Sequence, residues 1–203
     1  MRKIMGLFFI LIGIAIILYP LYENMQYDRE QQQLLDSFAQ LGNTEQLEQA
    51  SMEAEQAEAD FEQANGDKSD QLKGARGLIS IDKIDLDMLI FDGTSTETLS
   101  KGIGMVEPQK EFGVNNIGLA GHRAITHGKQ FNRLDELTVN DEIQVTTSDG
   151  TLKFAVVDTF VVHQSEVSVL NDQDEPLLTL VTCTPIGSRN PPHRLIVQAA
   201  LVP

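Results

Sequence analysis

The chain has a single cysteine, Cys183, among 203 residues. That excludes an internal disulfide framework and any zinc site built from four cysteines or from two cysteines and two histidines, so if this sulfur matters, it matters as a thiol. Basic residues are also scarce. Fifteen Lys and Arg face 30 Asp and Glu, for a net charge of −15. A nucleic-acid binder needs a basic face to displace counterions from phosphates, and this balance argues against one. What remains is 41% hydrophobic and 22% charged, a globular composition, long enough for one domain or one domain with an appendage.

The charge is unevenly spread. Residues 1–22 carry +2, residues 23–75 carry −10 and residues 76–203 carry −7. The first segment opens with Arg2 and Lys3 and then runs uncharged from Ile4 to Tyr22. As a helix that run would span about 28 Å, close to a hydrocarbon core. A cleaved signal peptide shares the basic start and apolar run. The run is long for a signal, however, and Tyr19, Leu21 and Tyr22 stand where small residues would mark a cleavage site. Residues 1–22 are therefore expected to be an uncleaved transmembrane anchor, with Arg2 and Lys3 cytoplasmic and the rest of the chain outside. Residues 23–75 are rich in Gln, Glu and Ala. Leu34, Phe38 and Leu41, then Leu47, Ala54, Ala57, Phe61 and Ala64, make thin apolar stripes at helical spacing. This reads as an acidic, partly helical extracellular stalk, ending in the flexible joint Asn65–Asp70.

In residues 76–203 the period changes. Runs at 77–81, 86–91, 116–121, 142–147, 152–163, 177–182 and 195–202 read as strands, with a short helix at Thr96–Lys101 ending at Gly102 and a hairpin turn at Asp149-Gly150. The 116–121 run hardly alternates, which implies burial on both faces or close packing. Seven to eight short strands with few helices predict a mainly β fold, a closed β-barrel or sandwich.

Cys183 ends the strand from Leu177 and is followed by Thr184-Pro185. Alternation sets Thr179, Val181 and Cys183 on one face, and Leu178, Leu180 and Thr182 on the other. A thiol where proline stops the ladder is displayed at a rim; the competing reading is a buried structural cysteine. A nucleophilic thiol needs a base, usually an imidazole. Of the four histidines, His127 lies in a polar loop, His163 ends a strand and His193 precedes Arg194. His122 ends the 116–121 strand and so shares the strand-end setting of Cys183. Acyl transfer also needs a donor for the oxyanion. Arg194 starts the last strand, eleven residues after Cys183, on the face of Ile196 and Gln198; its bland reading is a rim salt bridge.

Leu119-Ala120-Gly121-His122-Arg123, Thr179–Pro185 and His193-Arg194-Leu195-Ile196-Val197 together resemble the three signatures of the sortase family, the cysteine transpeptidases of Gram-positive cell envelopes. The resemblance covers about residues 76–203 and implies a closed sortase-type β-barrel. It also implies that His122, Cys183 and Arg194 are catalytic, that Arg194 holds the substrate as well as the oxyanion, and that Thr182 helps to line the substrate groove. Substrates would be surface proteins with a C-terminal motif like Leu-Pro-x-Thr-Gly, and the acceptor an amine of a peptidoglycan precursor. The absence of a second apolar segment after Val202 argues against the pilus-building class; classes A, D and E stay open. Some class A members bind calcium through acidic loop residues. Here Glu107, Glu111 and Glu166 are interrupted by Lys110 and Gly113, so no cofactor is expected. Two other readings are a membrane-anchored cysteine hydrolase and a non-enzymatic anchored binding module. The papain-like kind of hydrolase is largely helical around its cysteine, whereas Cys183 ends a strand.

Retention of the anchor is directly testable. Sequencing the amino terminus of the mature protein should find residues 1–22 still attached, and a terminus near residue 23 would refute the anchor.

Overall fold

The computed structural model describes residues 74–123, 130–188 and 190–203, together with thirteen separate residues between Gly13 and Asp36, all helical. Contacts divide the chain into two units, Met1–Leu72 and Lys73–Pro203. Most of the expected anchor, and the stalk beyond Asp36 with its joint, lie outside the described residues. Among the described residues no helix is long and apolar enough to cross a membrane.

The second unit is a closed eight-stranded barrel. Its strands are β1 (Ala75–Ile81), β2 (Leu86–Asp92), β3 (Ile103–Met105), β4 (Asn116–Ala120), β5 (Glu142–Thr147), β6 (Gly150–His163), β7 (Leu177–Thr184) and β8 (His193–Leu201). Around the barrel the order is β1-β2-β3-β4-β7-β8-β6-β5, and β5 closes back on β1 through Leu78–Thr146, Ile79–Val145 and Ser80–Gln144. Closure leaves no open edge for another chain to extend. Seven of the strands follow the sequence reading. The eighth, β3, is three residues long and wholly buried, too short for any period to appear.

Two of the neighbouring pairs are parallel, β2–β3 and β4–β7; the rest are antiparallel. A parallel pair needs a crossover. Between β2 and β3 it is made by α1 (Thr96–Lys101), where Ser95 caps the amino end by accepting a hydrogen bond from the Thr98 amide. Between β4 and β7 the crossover is the whole β5–β6 hairpin.

The core fills the barrel from alternate positions of each strand: Ile79 and Ile81, Leu178 and Leu180, Val197 and Ala199 are buried inside. β4 is covered on both sides, as its lack of alternation implied. Ile117 and Leu119 face the core. On the opposite side a Cβ at Gly118 would lie 2.7 Å from Leu170 Cδ2, so a side chain from the β6–β7 connection occupies that space.

Phe131, in the connection after β4, is fully buried, and a Cβ on Gly121 would lie 2.7 Å from its ring. It packs beneath the end of β4. Phe131→Ala should destabilise the protein by about 3–5 kcal/mol through the cavity it leaves, measured as a lowered denaturant midpoint.

Candidate active site

Strand β7 lies between β4 and β8, and its register places the site. With β4 it pairs Gly118–Thr179 and Ala120–Val181; with β8 it pairs Thr179–Gln198, Val181–Ile196 and Cys183–Arg194. Residues paired across strands share a face. Three rows therefore cross the outer wall: Gly118–Thr179–Gln198, Ala120–Val181–Ile196, and a last row holding Cys183 and Arg194. The Gly121 amide continues the parallel ladder to the Val181 carbonyl at 3.1 Å, so the next residue, His122, comes level with Cys183. Opposed Cα atoms in such an antiparallel pair lie about 4.5–5.5 Å apart, close enough for the Cys183 and Arg194 side chains to work on one group.

Cys183 is a free thiol of intermediate exposure, which sets aside the buried structural role. His122 is exposed at the rim, and its backbone is held from both sides. Its amide donates to Gln130 Oε1 at 2.6 Å, and its carbonyl accepts from the Phe131 amide at 3.2 Å.

Arg194 has no carboxylate within salt-bridge distance among the described residues, contrary to the bland reading. Its guanidinium donates instead to the carbonyls of Pro191 (2.8 Å) and His193 (2.9 Å) and to Gln164 Oε1 (3.3 Å). These neutral acceptors orient the planar fork without neutralising it. They use three of its five N–H donors.

Thr182 departs from the role that the resemblance implied. Alternation turns it to the inner face, where it is 2% exposed and donates to the Gly121 carbonyl at 2.8 Å. Its placement is that of a brace between the ends of β4 and β7 rather than of a groove wall.

Two supporting residues were missed by the sequence reading. Gln130 is buried, with φ 45°, and its amide joins the His122 N–H to the Leu99 carbonyl, the latter at 2.7 Å. No local motif signals this, because the bridge forms between segments distant in the chain. Arg123 stands inside the His122 motif, but nothing in the motif itself gives it a separate part. Its side chain, 9% exposed, pairs with Asp135 at 2.8 Å and donates to Thr184 Oγ1 at 3.2 Å, joining the residues that follow His122 and Cys183.

His163 and His193 face each other across β6 and β8, edge to face with ring centroids 5.9 Å apart. His127 lies outside the described residues. Of the acidic residues weighed for calcium, Glu107 pairs with Lys110 and Glu166 accepts from Ser168. Among the described residues no group of three or more His, Cys, Asp or Glu is placed to hold a metal ion.

The barrel is closed and mixed and brings His122, Cys183 and Arg194 to one rim row, and comparison with known proteins identifies its family. The sortase domain family matches residues 79–202. Sortase D of Bacillus subtilis is 30% identical over the full length of both chains. Sortase A of Listeria monocytogenes is 28% identical over 107 residues, which is 53% of this chain and 48% of that protein; the match thus spans about half of that relative's length. Among solved structures, Listeria monocytogenes sortase A superposes with a TM-score of 0.60 at 24% identity, over 64% of this chain and 88% of that one. A pilus-related sortase C of Group B Streptococcus superposes with a TM-score of 0.59 at 31% identity, over 64% and 68%. The chain belongs to the sortase family.

Gln130→Ala removes the acceptor of the His122 amide and the donor to Leu99. Leaving such groups unpaired costs about 1–3 kcal/mol. Because His122 is the residue released, turnover of a sorting peptide should fall about tenfold or more, one decade being about 1.4 kcal/mol. A thermal melt run alongside should show the barrel still folded.

Proposed function

We propose that the protein is a cysteine transpeptidase that cleaves a Leu-Pro-x-Thr-Gly-like sorting motif between Thr and Gly and transfers the new carboxyl end to a cell-wall amine. The observation that carries this reading is the single outer-face row at the ends of β4, β7 and β8, with the Cys183 thiol flanked by His122 and Arg194.

The chemistry follows from that order. Cys183 Sγ, as the thiolate, attacks the threonine carbonyl carbon and the carbonyl oxygen takes up the negative charge. Arg194, oriented by neutral acceptors and with no carboxylate partner among the described residues, stabilises that oxygen and holds the substrate backbone. His122, carrying a proton, gives it to the glycine nitrogen as the C–N bond breaks, leaving a thioester on Cys183. An incoming amine then attacks the thioester carbonyl and His122 takes its proton. The amide bond forms as the C–S bond breaks, which restores the thiolate. Water in place of the amine gives hydrolysis.

Surface proteins bearing a C-terminal sorting signal are the substrates in this reading, and a peptidoglycan precursor supplies the amine. The enzyme stands at the cell envelope, held by the expected anchor at 1–22 with the barrel on the extracellular face. The relatives span sortases A, C and D, so no class is assigned.

Two variants test the reading. Cys183→Ala should abolish both cleavage and transfer of a sorting peptide while the fold survives; residual transfer above a few per cent would overturn the thioester. Arg194→Lys keeps the charge but loses the planar fork. It should lower kcat/KM by at least about tenfold, or 1.4 kcal/mol, with little change in melting temperature. Near-normal turnover would remove Arg194 from the machinery.

A further inference from the structure

We propose that Gln164 is a positioning residue for Arg194, a neutral acceptor that orients the guanidinium while leaving its positive charge whole for the oxyanion. This rests on the reading of the site given above.

With 30 acidic side chains against 15 basic ones, a cation in this chain meets a carboxylate by default. Among the described residues of the second unit, every Lys and Arg but one has a carboxylate oxygen nearby, from 2.6 Å at Lys83–Asp141 to 3.6 Å at Arg76–Asp92. The exception is Arg194, the cation beside the thiol. Its Nη1 donates to the carbonyls of Pro191 and His193, at 2.8 and 2.9 Å, and its Nη2 to Gln164 Oε1 at 3.3 Å. Both Nη1 donors are thereby used. Of the five N–H donors, those left over are the Nε hydrogen and one on Nη2, adjacent nitrogens that make a two-point fork.

The backbone puts Gln164 where it can do this. Strands β6 and β8 pair Val162 with Arg194 and His163 with His193, and the Gln164 amide carries the ladder one step further, to the Pro192 carbonyl at 2.8 Å. Alternation then sets Val162 and Gln164 on the outer face with Arg194 and turns His163 to the opposite face, where its ring meets that of His193. The acid that follows two residues later, Glu166, is engaged by the Ser168 hydroxyl. The acceptor that reaches the guanidinium from β6 is therefore an amide, in a protein where carboxylates outnumber it on every side.

A glutamate at this position has the same length and still offers an acceptor, but it brings a charge. Its carboxylate would pair with Nη2 and cancel the guanidinium charge, while the fork kept the same two donors for the substrate. The charge on the substrate carbonyl oxygen develops only in the transition state. The loss should therefore appear in turnover rather than in substrate affinity.

The test compares the full-length wild type with Gln164→Glu and Gln164→Met in transfer of a sorting peptide to an added amine. Gln164 is exposed, so both variants should fold, which a thermal melt checks. Gln164→Glu should lower kcat by about tenfold or more with KM within about twofold, the mark of an interaction made only in the transition state. Gln164→Met keeps the charge and loses the acceptor; it should lower kcat by only about threefold, through looser orientation. In nitrogen NMR the two Arg194 Nη signals should coalesce at a lower temperature in Gln164→Met than in the wild type. A merely structural glutamine predicts the reverse order, with Gln164→Glu near the wild type and Gln164→Met the weaker enzyme and the less stable protein. A kcat for Gln164→Glu within about twofold of the wild type overturns the proposal, as does a greater loss in Gln164→Met. Unchanged coalescence in Gln164→Met overturns the orienting role. If the wild type turned over no sorting peptide, the reading of the site would fail instead, and the NMR comparison would still decide whether Gln164 holds Arg194.

Discussion

The site depends on β7 being hydrogen-bonded on both sides, to β4 in parallel and to β8 antiparallel, in one register. Side chains alternate with a period of two, so a shift of one residue in either pairing would turn its partner to the wrong face. With the register observed, Cys183 and Arg194 are direct partners and His122 comes level with them. Thr182 reinforces the arrangement from beneath. Its buried hydroxyl binds the Gly121 carbonyl, a group that the end of β4 would otherwise leave short of a partner.

The same alternation divides the work between the two faces of the wall. The inner face, with Leu178, Leu180, Val197 and Ala199, holds the core and the stability. The outer face carries Thr179, Gln198, Cys183 and Arg194, and much of it is also covered, because the β6–β7 connection lies over Gly118 and Thr179. At the rim that cover ends and the Cys183 thiol is part-exposed. A reactive thiol needs this compromise, since full burial would deny it substrate and full exposure would leave its partners unfixed.

Around the row, fixation comes from neutral hydrogen bonds more than from ion pairs. Gln130 holds the His122 backbone, and Gln164 with two backbone carbonyls orients Arg194. Neutral acceptors leave the guanidinium charge available, which a carboxylate would have neutralised. The ion pairs are set further out, at Arg123–Asp135 and around Lys110, where they tie connections to the barrel.

The strand-forming runs, the short helix at 96–101 and the strand-end settings of His122, Cys183 and Arg194 were legible in the sequence, because each is a local matter of period, propensity and chain punctuation. Even the resemblance to the sortases rests on three such short runs. What the sequence could not carry was anything made between distant segments. Strand β3 owes its existence to its neighbours rather than to its three residues. The family resemblance implies a groove role for Thr182, although alternation already sets it opposite Cys183; the partner that its hydroxyl meets there, the Gly121 carbonyl, appears only in the folded sheet. Gln130 has no motif at all; its part comes from the His122 amide and the Leu99 carbonyl that the fold brings to its side chain. Alternation along a strand is written in the chain, but which strand lies beside which, and so which side chains meet, is settled only when the sheet closes around its core.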